Sequence, residues 1–229
     1  MTTGELAPTT STESTDARPR IRRRPGKRLF DIVVAALLLA ALSPLLILVF
    51  ALVGFTSHGG PLYRQLRVGR NGVAFSMYKF RTMRAGCSDE LHREYVRKLL
   101  TQDRPPVGGA RGLFKLEADP RVTAVGRVLR RTSIDELPQL WNVLVGDMSL
   151  VGPRPALEWE AQLFSATHRA RFLVSPGLTG LWQVSGRSRL PMREGLDLDV
   201  RYVTEQSFGL DLRILLKTVP AVLSTAGAP

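Results

Sequence analysis

Cysteine is nearly absent: Cys87 is the only one in 229 residues. A single thiol excludes an internal disulfide framework and a Cys-rich zinc site. The three histidines, His58, His92 and His168, are scattered, which argues against a His-built metal centre. Aromatics make up 7% of the chain, too few to interleave a basic surface as nucleic-acid platforms do. Acidic residues are also short. Against 32 Lys and Arg stand 20 Asp and Glu, for a formal net charge of +12. Such an excess asks for an anionic partner: nucleic acid, an anionic lipid surface or a phosphate-rich substrate. Apolar side chains, by contrast, make up 44% of the chain, which excludes a wholly disordered basic protein. The length accommodates one domain with a real core, with or without a membrane element.

Charge and apolar residues are segregated. Residues 1–17 are polar and rich in Pro, Thr and Ser, and read as a disordered leader. Residues 18–28 carry seven basic groups and no acid, yet removing residues 1–28 still leaves +8. From Ile32 to Phe55 the chain then runs 24 residues without a charge. As a straight helix this reaches roughly 36 Å, enough to cross a hydrocarbon core of about 30 Å. It is too long for a signal-peptide apolar region and too apolar on all sides for a soluble core helix.

Ser43-Pro44 lies at the centre of this run, where proline removes a backbone donor and favours a kink. Both flanks are basic: residues 18–28 before, and Arg64, Arg67, Arg70, Lys79, Arg81 and Arg84 after. The positive-inside rule wants both on the cytoplasmic side. A helix that enters, bends at Ser43-Pro44 and returns meets that demand; an ordinary Pro-kinked span is the alternative.

In the remainder, residues 62–83 read as short strands around the Gly69-Arg70-Asn71-Gly72 turn. Residues 88–103 read as a helix capped by Ser88, and residues 104–112 as a loop. Residues 157–172 suggest one polar-faced helix. Residues 208–223 suggest an amphipathic helix with Asp211, Arg213 and Lys217 on a minority face, either on a membrane surface or in a core.

Four segments carry candidate chemistry. Ser133-x-x-Glu136 has the form of a capping box, and Pro138 suits a helix start. The same segment, following Arg127, Arg130 and Arg131, also suits phosphate chemistry, one carboxylate attacking phosphorus while its neighbour holds a metal. Gly152-Pro153-Arg154-Pro155 fixes an arginine between two prolines, either a rigid turn or a held fork for phosphate. Residues 176–187 combine close-approach glycines, Trp182 and Arg187, and suit a nucleotide diphosphate, though they match neither a P-loop nor a dinucleotide fingerprint. Asp197-Leu198-Asp199 has a D-x-D form whose hard oxygens favour Mg²⁺ or Mn²⁺, but so short a match carries little weight.

Taken in order, these segments resemble the bacterial sugar transferases, monotopic polyprenyl-phosphate phosphoglycosyl transferases of the exopolysaccharide-initiating type. The resemblance rests on Lys27-Arg28-Leu29-Phe30-Asp31, Ser43-Pro44, Lys79-Phe80-Arg81-Thr82-Met83 and Asp119-Pro120-Arg121-Val122-Thr123. It continues through SIDELPQLWNVLVGDMSLVGPRP (133–155), PGLTGLWQVSGRS (176–188) and residues 198–202. It covers roughly residues 27–223. Two departures stand out: the chain lacks the four further N-terminal membrane helices of many members, and residues 105–116 do not match residue by residue.

The resemblance implies an α+β, mostly helical fold: a re-entrant membrane helix plus one small cytoplasmic catalytic domain with amphipathic interfacial helices. On this reading residues 1–28 are a disordered basic leader, 29–55 the membrane helix kinked at Ser43 and Pro44, and 56–229 the catalytic domain. It implies transfer of a sugar-1-phosphate from a UDP-sugar to a polyprenyl phosphate by a ping-pong route, with release of UMP. Asp135 would be the nucleophile, Glu136 the ligand of Mg²⁺ (or Mn²⁺), and Lys79 a catalytic cation. Arg154, Arg187, Arg121, Arg131 and Asp199 would form the substrate site. The implied partners are the UDP-sugar, the polyprenyl phosphate and anionic membrane lipid at the cytoplasmic face of the bacterial inner membrane. A homodimer is compatible with this, and nucleic acid is not a partner. The competing readings are a membrane-anchored nucleic-acid binder, supported by charge alone, and an inactive scaffold of an export complex, against which the intact Asp135-Glu136 pair speaks.

Overall fold

The computed structural model describes residues 24–57, 59–84, 86, 90, 93–94, 97, 121–186 and 190–223. Residues 1–23, the loop at 104–112, Asp119-Pro120 and Arg187 lie outside the described residues. Of the helix expected over 88–103, positions 90, 93, 94 and 97 are described, and all four are helical and exposed.

The apolar run forms one helix, α1 (Pro25–Thr56). It begins four residues inside the expected leader, because Pro25 at the first helical position has no amide to leave unpaired and a φ already suited to the helix. At 32 residues it is about 48 Å long, and it continues through Pro44, with the Ser43 hydroxyl donating to the Ala40 carbonyl at 2.8 Å. Only Asp31, Ala35, Val49 and Val53 along it are buried.

Both ends of α1 nevertheless pack on the rest of the chain. At its start, Arg28 donates to the Val143 and Leu144 carbonyls, where a helix terminus exposes unpaired acceptors. Asp31 accepts from the Ser149 hydroxyl at 2.8 Å, and Lys27 lies 3.6 Å from Asp31 and 3.3 Å from Asp211. At its far end, Val49 and Val53 join a core cluster with Phe80 and Leu129. The middle of α1, including Leu37, Leu38, Ile47 and Leu48, is exposed.

Beyond α1, strands β1 (Leu62–Val68) and β2 (Ala74–Phe80) form the expected antiparallel hairpin, with Arg67 opposite Phe75 and Gln65 opposite Met77. Helix α2 (Ala124–Thr132) is capped by the Thr123 hydroxyl. A short 3₁₀ turn (Ile134–Glu136) leads to α3 (Gln139–Val145), which Gly146 closes in the left-handed conformation. Strands β3 (Ser149–Val151) and β4 (Gly177–Thr179) pair in parallel. A side chain on Gly177 would fall about 2.1 Å from the Gly152 backbone nitrogen, so only glycine permits this approach. The main core gathers Met77, Leu140, Val143, Met148, Leu150, Tyr202 and Ile214.

Several local expectations are corrected. Residues 157–172 are not one helix but α4 (Glu158–Gln162), α5 (Ala166–Arg169, capped by Ser165) and a 3₁₀ turn (Ala170–Leu173). Within residues 176–187, β4 and α6 (Leu181–Ser185) occupy most positions. The last two helices are α7 (Met192–Glu205) and α8 (Phe208–Leu223). In α8 the expected sidedness is reversed at Asp211, which is buried, while Leu212, Leu216 and Val219 face outward. Asp211 is drawn inward by the Tyr202 hydroxyl, which lies 2.7 Å from it, and by Lys27.

Candidate active site

Lys79 occupies the inward face of β2, in step with Phe75 and Met77. It meets Glu136 because α3 is stitched to β2: buried Asn142 donates to the Ser76 carbonyl (2.7 Å) and accepts from the Tyr78 amide (3.1 Å). The Lys79 ammonium then lies 3.1 Å from Glu136 Oε1. Burial holds the Lys79 pKa below its ordinary value, and the Glu136 carboxylate pulls in the opposite direction.

Ser133 does not serve as a capping-box residue. It sits at φ 58°, ending α2 and reversing the chain, and its side chain makes no cap hydrogen bond. After the reversal, Glu136 lies against Lys79. Asp135 is adjacent on the same turn, and its charge also acts on Lys79.

A cleft opens here, lined by Arg67, Met77, Lys79, Glu136, Gln139, Arg154, Pro155, Gly177, Leu178 and Gln183. Arg154, between its two prolines, projects as an exposed side chain, and its positive charge lowers the pKa of both Lys79 and Arg67. Arg67 is buried and donates to the Pro155 carbonyl at 3.1 Å. Desolvation is the first cause, and Arg154 the second, of its pKa falling to about 10. Three cations that disfavour one another's charge therefore converge on one cleft, an arrangement that a bound polyanion would relieve.

Asp199 is fully buried beneath the cleft, where it receives the Arg171 guanidinium. Arg171 also donates to the Arg154 backbone carbonyl at 2.6 Å, so this pair holds the segment that carries Arg154. Burial raises the Asp199 pKa to about 6 despite the neighbouring Arg171 charge. Asp197 points elsewhere: it is exposed and lies 2.9 Å from His168 Nε2. Residues two apart on α7 face different sides, so the D-x-D form does not make a joint metal site.

Of the sequence candidates, Lys79, Glu136 and Arg154 meet in the cleft, with Asp135 beside them. Arg121 and Arg131 are not among the residues lining it; Arg131 is exposed in the last turn of α2. Sequence reading missed Arg67, Arg171, Gln139 and Gln183. The signal for Arg67 was an arginine on the strand face that packs inward. Gln183 lies in the 176–187 segment read as a phosphate-binding candidate, while Arg171 and Gln139 carried no signal.

Among the described residues, no group of three or more His, Cys, Asp or Glu is placed to hold a metal ion. The hard carboxylate of Glu136 fits Mg²⁺, which keeps several ligands from water and substrate phosphates.

The bacterial sugar transferase family model matches residues 22–225, nearly the whole chain. This protein belongs to the bacterial sugar transferase family. The exopolysaccharide production protein ExoY of Sinorhizobium fredii is 43% identical over 203 residues, covering 89% of this chain and 88% of the relative. The undecaprenyl-phosphate galactose phosphotransferase of Salmonella typhimurium is 44% identical over 205 residues, 88% of this chain but 41% of that longer protein. The UDP-glucose:undecaprenyl-phosphate glucose-1-phosphate transferase of Caulobacter vibrioides is 41% identical over 218 residues, 92% of this chain and 74% of the relative. As a sugar transferase, the chain carries its charged cleft in the same part of the sequence that these relatives share.

Proposed function

We propose that this sugar transferase moves a sugar-1-phosphate from a UDP-sugar to a polyprenyl phosphate at the cytoplasmic face of the bacterial inner membrane, an initiating step of glycan assembly. The observation that carries this is the convergence of Lys79, Arg67 and Arg154 on Glu136, with Asp135 next to it. The relatives' names supply the substrate class.

In this mechanism an Asp135 carboxylate oxygen attacks the β-phosphorus of the UDP-sugar. The bond from that phosphorus to the bridging oxygen breaks, and UMP leaves with the electron pair. A phosphate oxygen of the polyprenyl phosphate then attacks the same phosphorus and expels Asp135, giving polyprenyl-diphosphate-sugar. Lys79 and Arg154 neutralise charge on the phosphate oxygens as these bonds exchange. Arg67 adds a buried positive charge at the base of the cleft. Glu136 would hold Mg²⁺ (or Mn²⁺), which when bound neutralises further diphosphate charge.

The acceptor phosphate lies at headgroup level, so the cleft must lie there too. Packing of both ends of α1 on one catalytic domain supports a helix that dips and returns over a simple span. The outward apolar row Leu212, Leu216 and Val219 supports α8 as an interfacial helix.

The test is UMP release from UDP-glucose, UDP-galactose and their N-acetylated counterparts, with Mg²⁺ and polyprenyl phosphate. The expected result is acceptor-dependent UMP with at least one donor; none with any donor contradicts the reading. For topology, cysteines placed just before and just after α1 are expected to label from the same side of the membrane.

A further inference from the structure

Two carboxamides in the cleft have no part in the phosphate chemistry. Gln139 begins α3 and is 3% exposed, yet its Nε2 has no hydrogen-bond partner among the described residues. Gln183 lies on α6, and its buried Oε1 is likewise unpartnered among them. Both line the cleft with Lys79, Glu136 and Arg154, and they come from separate helices, α3 and α6. Leaving a buried amide group unpaired is costly, so two such groups around one cleft mark a place where a ligand completes the bonding.

The polarity of the two groups limits what that ligand group is. Gln139 offers a donor, which a phosphate oxygen can satisfy. Gln183 offers an acceptor, which a phosphate diester oxygen cannot satisfy, because it carries no proton. A hydroxyl satisfies both, since it accepts and donates at once.

Position then selects among hydroxyls. Gln139 is three residues beyond Glu136, at the start of α3 just after the 3₁₀ turn, and both line the same cleft. A group bonded directly to a β-phosphate held at these carboxylates lies within reach of it. In a UDP-sugar that group is the hexose; the ribose and uracil lie further along, past the α-phosphate.

We infer that Gln139 and Gln183 form the sugar-recognition subsite, reading hexose ring hydroxyls of the UDP-sugar. The inference rests on the UDP-sugar reading of the cleft. Removing either carboxamide should lower discrimination for the hydroxyl it contacts while leaving the nucleotide diphosphate bound as before.

The experiment compares the wild type with Gln139→Leu and Gln183→Leu, using UDP-glucose, UDP-galactose and their singly deoxygenated ring analogues. UMP release gives kcat/KM, and titration calorimetry gives the affinities of UDP-hexose and of UDP. We expect each variant to lose about 10- to 100-fold in kcat/KM on the parent hexose, as loss of a buried hydrogen bond implies, and to lose little further on one deoxy analogue. UDP affinity should stay within twofold, and the thermal midpoint should hold or rise because an unpaired buried amide has gone. Equal losses on every donor, no loss on any, or weakening of UDP in parallel with UDP-hexose would each overturn the inference. Turnover by the wild type with unchanged variants would remove the subsite and leave the transferase reading intact. Absence of turnover in the wild type would remove the transferase reading; calorimetry would then decide the subsite, and UDP-hexose binding no tighter than UDP would overturn it.

Discussion

Two ion pairs flank Arg154 and have opposite characters. Lys79–Glu136 opens to the cleft, with side chains 18% and 34% exposed. Arg171–Asp199 is sealed below it, at 3% and 0%. Both are lysine or arginine against carboxylate, and charge pattern alone does not separate them. Solvent access does. In the open pair each partner can exchange its neighbour for a phosphate group or a cation. In the sealed pair neither partner can reach a ligand, and its effect on the cleft passes through the Arg154 backbone. The same residue chemistry thus gives an accessible pair in one place and a sealed one in the other.

The largest break in this comparison should come from Asp199→Ala. It leaves Arg171 charged and buried with no polar group in the place of its partner, at an expected cost of roughly 3–5 kcal/mol. For a domain of this size that lowers the thermal midpoint by about 10 °C. Adding Arg171→Met should recover most of the loss. A variant as stable as the wild type would show that the sealed pair supports nothing.

Lys79→Met should show the reverse signature. Turnover is expected to fall about 10²–10³-fold, the range for removing one preorganised charge-stabilising group, with little change in denaturant midpoint. A large loss of stability without loss of turnover would exchange the roles of the two pairs.

The pH dependence sharpens the contrast. Asp199 has a folded-state pKa of about 6, above its ordinary 3.8. Between those values the native state holds a proton that the unfolded chain has released, so stability falls as pH rises from about 4 to 6. Urea midpoints across pH 4–7 should trace that fall in the wild type and lose it in the Asp199→Ala, Arg171→Met double variant. A fall of the same size in the double variant would assign it to another group.

The smallest effect is expected at Arg154→Lys. Charge is kept but the planar fork is lost, so activity should drop about tenfold at unchanged stability. Full activity would mean that Arg154 acts only as a point charge.

Much of this site was legible because its motifs are local. Asp135-Glu136 and Arg154 between prolines each announce themselves within a few residues, whereas Lys79 was marked only by the family resemblance. The apolar run and the hairpin were equally direct. What failed were local rules overridden by tertiary partners. The Ser133-x-x-Glu136 pattern suggested a cap, but Glu136 is claimed by Lys79, which is 57 residues away. Asp211 suggested the wet side of a helix, but Lys27 and Tyr202 draw it inside. Arg171 and Asp199 lie 28 residues apart, and Gln139 and Gln183 lie on separate helices. Their importance is set by burial, which no short pattern encodes.

The central claim is that Asp135 carries the phosphosugar. The direct measurement is intact-protein mass after incubation with UDP-sugar and Mg²⁺ in the absence of polyprenyl phosphate. The account predicts a gain equal to one hexose phosphate, matched by one UMP per active site, discharged on adding polyprenyl phosphate, and absent in Asp135→Asn. Turnover to polyprenyl-diphosphate-sugar at an undiminished rate in Asp135→Asn, with no adduct in either protein, would contradict it.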